Sequence, residues 1–314
     1  NLVDSEVMLG LLASRGYQMI DEEGKADIIV VNTCCFINDA KEESVQAILE
    51  MAEYKKTGKC KALIVTGCMA QRYKQEILDE VSEVDRVLGT TAYEKIVEAV
   101  DEALAGSRGV EEKPLSYLPQ TDAKRMVTTG GHYAYLKIAE GCNKCCTYCI
   151  IPKLRGRYRS VPMERLIEQA KELAAQGVKE LILVAQETTV YGVDLYGKKS
   201  LHLLLEQLCR ISGLRWIRIL YCYPEEIYEE LMELQQEIAF DRAEGRTGSV
   251  VTAMIEGKVA DEDAYVARTY GDAPNVDGLL FVQTAEELNS GDFVRVRITG
   301  AVEYDLIGEL TEDI

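Results

Sequence analysis

Histidine is almost missing from this chain: His132 and His202 are the whole supply in 314 residues. Zinc sites come as paired C-x-x-C knuckles or with histidine, and neither of these two completes such a pattern. No apolar run approaches eighteen residues, which excludes an ordinary membrane-spanning helix, and no signal-peptide pattern opens the chain. The expectation is a soluble, cytoplasmic protein. Basic residues are in short supply, 35 Lys and Arg against 53 Asp and Glu, for a net charge of −18. Such a field repels polyphosphate at long range and counts against nucleic acid as the main partner. There is no internal repeat and no low-complexity tract.

The length is too great for one ordinary core and implies two or three domains. Apolar residues make up 47%, enough to bury them. Over 1–106, apolar runs (Asp27 to Asn32, Ala62 to Thr66, Val84 to Leu88) alternate with helical periodicity at 39–56, 72–81 and 91–105. That alternation predicts a parallel α/β sheet covered by helices. Residues 107–133 lose periodicity, collect Gly, Pro, Ser and Thr, and read as a linker. Over 134–244 the alternation resumes, with strands at Tyr135 to Ala139, Glu180 to Ala185 and Trp216 to Tyr221. Helices are expected at 162–176, 201–211 and 225–243. Residues 245–314 switch to short strand runs at Val250 to Ile255, Ala264 to Arg268, Leu279 to Val282 and Phe293 to Ala301, the pattern of a small antiparallel barrel.

Ten cysteines in such a chain point to metal or redox chemistry before disulfides. Cys142, Cys146 and Cys149 form C-x-x-x-C-x-x-C directly after a strand. Three thiolates on one tight loop hold three irons of a four-iron cluster and leave the fourth open to a ligand. Cys145 is a spare in the same loop, so spacing alone leaves a shifted ligand set open. Cys34 and Cys68 each follow an apolar strand, at the carboxyl edge where open α/β sheets bind ligands. Taken alone they read as ordinary core residues. Arg155, Arg157 and Arg159 either steer anions or form a solvated basic loop.

The stretch Glu140-Gly141-Cys142 through Cys149-Ile150-Ile151-Pro152, followed by Arg155-Gly156-Arg157-Tyr158-Arg159-Ser160, resembles the radical S-adenosylmethionine methylthiotransferases. Val31-Asn32-Thr33-Cys34 and Thr66-Gly67-Cys68-Met69-Ala70-Gln71-Arg72-Tyr73 look like that family's N-terminal domain, and the C-terminal segment looks like its small β-barrel, TRAM. The family divides into tRNA-modifying MiaB-like enzymes and RimO-like enzymes, which methylthiolate an aspartate of the small-subunit ribosomal protein numbered twelve. Asn1 to Glu6, Gln186-Glu187-Thr188-Thr189 with Tyr191-Gly192-Val193-Asp194, and Thr269-Tyr270-Gly271-Asp272-Ala273-Pro274 most resemble the RimO-like branch.

The resemblance implies a [4Fe-4S] cluster on Cys142, Cys146 and Cys149, with S-adenosylmethionine on the open iron and cleaved there to a radical. It implies that Tyr148 sets its backbone beside the adenine and that Gln186 and Glu187 border the cofactor. It designates no further catalytic side chain. Cys34 and Cys68 match two of three ligands of a second, sulfur-carrying cluster. The third would precede Asn1 by two positions, so the chain is expected to be truncated there. Cys35, Cys60, Cys209 and Cys222 match no role. The implied barrel has six strand–helix units, and only three are legible here. After Tyr223 to Ile227 the sequence passes directly to Glu233 to Ile238, which looks like the helix before the small barrel. A half barrel leaves an open strand edge that invites pairing with a second copy. From Gly245 to Ile314 there are five basic and fourteen acidic residues, a net of −9. That charge suits a basic ribosomal protein and argues against RNA.

Overall fold

A computed structural model of the chain describes residues 1–119, 125–272 and 277–312. Part of the 107–133 stretch, Ala273 and Pro274 of the branch motif, and Asp313 lie outside the described residues. The chain divides into two units, Asn1–Ile227 and Tyr228–Ile314. No helix among the described residues is long and apolar enough to cross a membrane.

The first unit opens with α1 (Leu2–Ser14). There follow β1 (Ile28–Thr33), α2 (Asn38–Thr57), β2 (Ala62–Gly67), α3 (Cys68–Tyr73), α4 (Gln75–Glu80), β3 (Arg86–Leu88), α5 (Ile96–Leu104) and β4 (Gly109–Glu111). The strands form one parallel sheet in the order β1-β2-β3-β4, with Thr33 opposite Gly67 at the carboxyl end. The β-branched Ile28-Ile29-Val30-Val31 run suits this pleated, half-covered position.

Successive β2 side chains serve opposite faces. Leu63 and Val65 pack with Ile48, Ala52, Ile77 and Val87. Ile64 packs with Met8, Leu12, Leu88, Ile96 and Val100, so α1 and α5 cover the other face. Each such Leu, Ile, Val or Met side chain contributes on the order of 1.5–3 kcal/mol on burial.

Two expectations are corrected here. The helix predicted over 72–81 is interrupted at Lys74, whose φ of 42° ends α3 and begins α4. The Lys74 ammonium there pairs with Glu112 at 2.6 Å. The 107–133 stretch is not all linker, because β4 falls inside it and pairs in parallel with β3. Its three half-buried residues hold by backbone bonds at a sheet edge, so no apolar pattern announces them.

The unit continues through β5 (Tyr133–Lys137), β6 (Ala139–Glu140), α6 (Ile151–Arg155), β7 (Arg159–Ser160), α7 (Met163–Ala175), β8 (Glu180–Val184), α8 (Val193–Tyr196), α9 (Leu201–Cys209) and β9 (Trp216–Ile219). The second parallel sheet is β5-β8-β9, and β6 with β7 makes a short antiparallel ribbon. The helices turn apolar stripes inward, Leu166, Ala170 and Leu173 on α7 and Leu201, Leu204, Leu205 and Leu208 on α9. Among the described residues β9 pairs in the sheet only with β8, and its Trp216 and Arg218 are exposed.

In the second unit α10 (Glu229–Glu244) precedes β10 (Val250–Lys258), β11 (Ala264–Thr269), β12 (Leu280–Gln283), β13 (Phe293–Val302) and β14 (Asp305–Leu310). The strands close into a barrel in the order β10-β11-β12-β14-β13. Every seam is antiparallel except β12–β14. Ile255, Tyr265, Ala267, Leu280, Val282, Val296 and Ile298 fill it, and Ala243 of α10 joins them. The helix expected to run from 225 begins at Glu229 and lies in this unit. The fifth strand, β14, carried no separate apolar signal. It follows β13 through Glu303 and Tyr304, with Glu303 at φ 54° making the tight reversal.

Candidate active site

The loop from Gly141 to Ile150 leaves the carboxyl end of β6 without helix or strand and re-enters structure at α6. Cys142, Cys146 and Cys149 all lie on it, all free and half-buried, while Cys145 is exposed. Cys149 donates its backbone N–H to the Cys146 carbonyl at 3.0 Å. The Lys144 N–H reaches the Cys142 sulfur at 3.4 Å. Burial pushes the Cys142 thiol up. Tyr148, between two of the thiols, is 84% exposed.

The rest of the unit anchors the loop. Gly141 has φ 81°, and a Cβ there would fall under 3.0 Å from the carbonyls of Gly156 and Arg157, so only glycine lets the backbones meet. The Cys142 N–H donates to the Gly156 carbonyl at 3.1 Å, and the Tyr158 N–H to Asn143 Oδ1 at 3.0 Å. Gln186 and Glu187 follow β8, as expected, and each takes a partner from the loop. The Gly141 N–H donates to Gln186 Oε1 at 2.6 Å. Glu187 is only 1% exposed, and its carboxylate faces the Lys144 ammonium at 3.2 Å. A buried carboxylate is costly unless paired, so this contact fixes Lys144 between Cys142 and Cys146. The same ammonium lies 3.6 Å from the Tyr223 ring centroid and 3.6 Å from Glu226.

Cys34 and Cys68 follow β1 and β2, neighbouring strands whose ends face each other. Gly67 brings them close, since a Cβ on it would fall under 3.0 Å from the Thr33 backbone. Cys35 and Cys60 are buried, and burial pushes both thiols up; Cys222 is half-buried and Cys209 exposed. The donor chemistry on the Cys142 loop fits a three-thiolate cluster: three free thiols, one uncommitted loop, and anchors at both ends. The thiols are not drawn to a single point, and among the described residues no three His, Cys, Asp or Glu side chains are grouped to hold a metal ion.

A cavity of about 330 Å³ is lined by Cys68, Phe36, Tyr135, Lys137, Arg155 and Gln186, so it reaches from the first sheet to the second. Its charged wall is a buried network. Arg155 Nη1 donates to Asp4 Oδ2 and Glu140 Oε2, each at 3.0 Å. Lys137 Nζ donates to Glu140 at 2.9 Å and also to Asp4. Burial pushes the Asp4 and Glu140 carboxyls up, but the two cations beside them outweigh it and leave both below the ordinary carboxylate range. Arg155 is therefore no solvated loop residue, whereas Arg157 is exposed. Sequence reasoning missed this network and the Lys144 clamp. The partners of Arg155 lie 151 and 15 positions away, and no local signal joins them.

The Radical SAM superfamily model matches residues 136–245, the TRAM domain model 247–311, and the Uncharacterized protein family UPF0004 model 1–89. The "Ribosomal protein uS12 methylthiotransferase RimO" of Lachnoclostridium phytofermentans is 46% identical, covering 98% of this chain and 97% of that protein. That alignment runs over 425 positions against 314 residues here, so more than a hundred of its positions hold no residue of this chain. The protein of the same name from Clostridium botulinum is 52% identical over 235 residues, which are 74% of this chain and 52% of that protein. Among solved structures, the radical S-adenosylmethionine methyltransferase TsrM from Kitasatospora setae aligns at TM-score 0.49 and 14% identity, over 74% of this chain and 55% of that one. With identity to the Lachnoclostridium protein sustained over nearly all of both chains, this chain belongs to the RimO-like radical S-adenosylmethionine methylthiotransferases.

Proposed function

We propose that this chain methylthiolates an aspartate of the small-subunit ribosomal protein uS12, using a [4Fe-4S] cluster and S-adenosylmethionine. The observation that carries the reading is the anchored loop with three free thiols at the carboxyl end of the β5-β8-β9 sheet, in a chain related over nearly its whole length to proteins named for that reaction. In this reading Cys142, Cys146 and Cys149 each give a thiolate to the cluster and leave one iron open. Tyr148 lays its backbone beside the adenine, and Gln186 and Glu187 hold the loop in register with the cofactor. Bound S-adenosylmethionine, once reduced, supplies the radical that the chemistry needs. Cys34 and Cys68 serve a second, sulfur-carrying cluster. Residues 1–106 carry that site, 107–133 connect, 134–244 carry the radical site, and 245–314 form the barrel that meets the substrate. The barrel's net of −9 supports a basic protein as partner and disfavours tRNA, because an RNA-binding surface needs cations to displace counterions.

A second reading, a cluster protein with little turnover, has its own support. The second sheet has three parallel strands where the family's barrel has six, and relatives carry over a hundred positions without counterpart here. A radical needs a chamber closed to water, and three strands enclose one poorly. The test is anaerobic reconstitution with iron and sulfide counts, then assay of 5′-deoxyadenosine, then mass spectrometry of uS12. Iron uptake without 5′-deoxyadenosine would sink the enzyme reading and leave the cluster reading. Methylthiolated aspartate formed within a hundredfold of about 10 per second would sink the second. Methylthiolated tRNA in place of protein would reverse the choice of substrate.

A further inference from the structure

The end of α6 touches both cysteine sites with consecutive residues. Arg155 stands with Cys68 on the wall of one cavity, and Asn1, which accepts from the Arg155 guanidinium, donates its Nδ2 to the Thr33 carbonyl at 3.1 Å at the edge of the first sheet. The next residue, Gly156, accepts the Cys142 N–H at 3.1 Å, at the start of the loop beside the second sheet. Gly141, just before Cys142, is packed on the same two carbonyls, Gly156 and Arg157, so closely that a side chain has no room. Arg155 is itself fixed from two directions, by Asp4 of α1 and by Glu140 of β6, each 3.0 Å from Nη1. Asn1 Oδ1 accepts from its other amino group. Arg155, Asp4 and Glu140 are 2–5% exposed, and Lys137 balances the charge to zero with Asp4 and Glu140. Buried ion networks add little net stability, since desolvation offsets attraction. Their best-attested use is to fix registry, because any slip leaves a buried charge unpaired. Arginine suits the task because its planar fork meets several acceptors at once, which a lysine ammonium does not.

We propose that Arg155 and Gly156 form the element that sets the spacing of the two cysteine sites, with Arg155 as a positioning residue that holds the sheet edge beside Cys68, where Thr33 lies opposite Gly67, while its neighbour carries Cys142. The functional meaning rests on the methylthiotransferase reading above, in which the sulfur-carrying site must face the radical site. The spacing itself does not rest on it. In place of two domains joined by a loose hinge, the two sites share one rigid two-residue bridge, and motion at one is felt at the other.

The test is amide hydrogen exchange with peptide mass spectrometry on the metal-free full chain, comparing wild type with R155K and D4N. R155K keeps the positive charge and loses the fork. It should raise exchange about tenfold or more in two separate segments together, 66–72 and 140–149, while α7, α9 and the barrel stay within about twofold. D4N leaves Arg155 in place and loosens its anchor on α1, so it should give the same two-site pattern with smaller amplitude. A rise in only one segment, in neither, or spread through α7 and α9 would overturn the proposal. Should R155K fail to fold, D4N with both segments at wild-type rates overturns it equally. Because no iron is present, a failure of the methylthiotransferase reading would appear in the reconstitution assay and leave this result untouched.

Discussion

The barrel of the second unit and the β5-β8-β9 sheet of the first solve the same problem in opposite ways. In the barrel each strand has two neighbours, and seven buried side chains from Ile255 to Ile298 fill the inside. Closure removes edges altogether. The parallel sheet stops at β9, where Trp216 is 54% exposed and Tyr221, just beyond, 61%. An open edge with exposed aromatics is a template for pairing with another chain. The charges differ in the same sense. The first unit encloses paired carboxylates and cations beside its cavity, while the barrel interior is apolar. A strand array thus becomes independent of its surroundings when it closes, and it keeps chemistry at its rim when it does not.

The contrast can be broken in graded steps. The largest effect belongs to the loop. Replacing Cys142, Cys146 and Cys149 with Ala, in a chain whose Cys34 and Cys68 are already replaced, should abolish iron–sulfur absorption after reconstitution and leave barrel unfolding unchanged. Iron content equal to that of the parent would refute the ligand assignment.

Next comes the barrel core. Ile255 is fully buried, and Ile255→Ala should cost about 2–5 kcal/mol in urea unfolding followed in the second unit. The first unit's transition should not move. A shift in both would mean that the barrel does not stand alone.

A smaller effect separates the charged interior from the apolar one. Asp4 and Glu140 have folded values below their ordinary 3.8 and 4.5. Their contribution is fully present above those ordinary values and drains away as pH falls through the folded ones. The urea midpoint of wild type relative to D4N should therefore be constant from pH 7 to 5 and shrink at pH 3. A difference that grows on acidification would reverse the sign and refute the pairing.

The smallest effect on stability is at the open edge. Trp216→Ala should change unfolding by no more than about 0.5 kcal/mol, since the side chain is mostly exposed. It should nonetheless lower self-association in analytical ultracentrifugation if β9 pairs with a second copy. Equal association in both proteins would discard that edge as a contact.

Much of this was legible in the sequence. Ile28 to Val31 and Ala62 to Val65 read as buried strands because β-branched runs have few other homes. The stripes on α7 and α9 read as helices because three apolar residues on the first and four leucines on the second recur at helical spacing. The C-x-x-x-C-x-x-C loop was legible because its ligands are close in sequence. What failed to read was short or held by backbone alone. β4 has three residues without an apolar pattern, β14 hides behind a tight reversal at Glu303, and Lys74 breaks a helix whose periodicity is continuous across it.

By itself the sequence determined the cysteine triplet, the alternation of strand and helix, the acidic barrel and the family. Each of these is written in residues near one another or in sums over a segment, and such information survives without coordinates. Only the tertiary structure decided that Arg155 is buried between Asp4 and Glu140, that Glu187 holds Lys144, and that Arg155 shares a cavity wall with Cys68 while the next residue meets Cys142. Those contacts pair residues up to 151 positions apart. A buried charge declares its partner only when the chain has folded and water has gone, because until then every charge is equally well solvated.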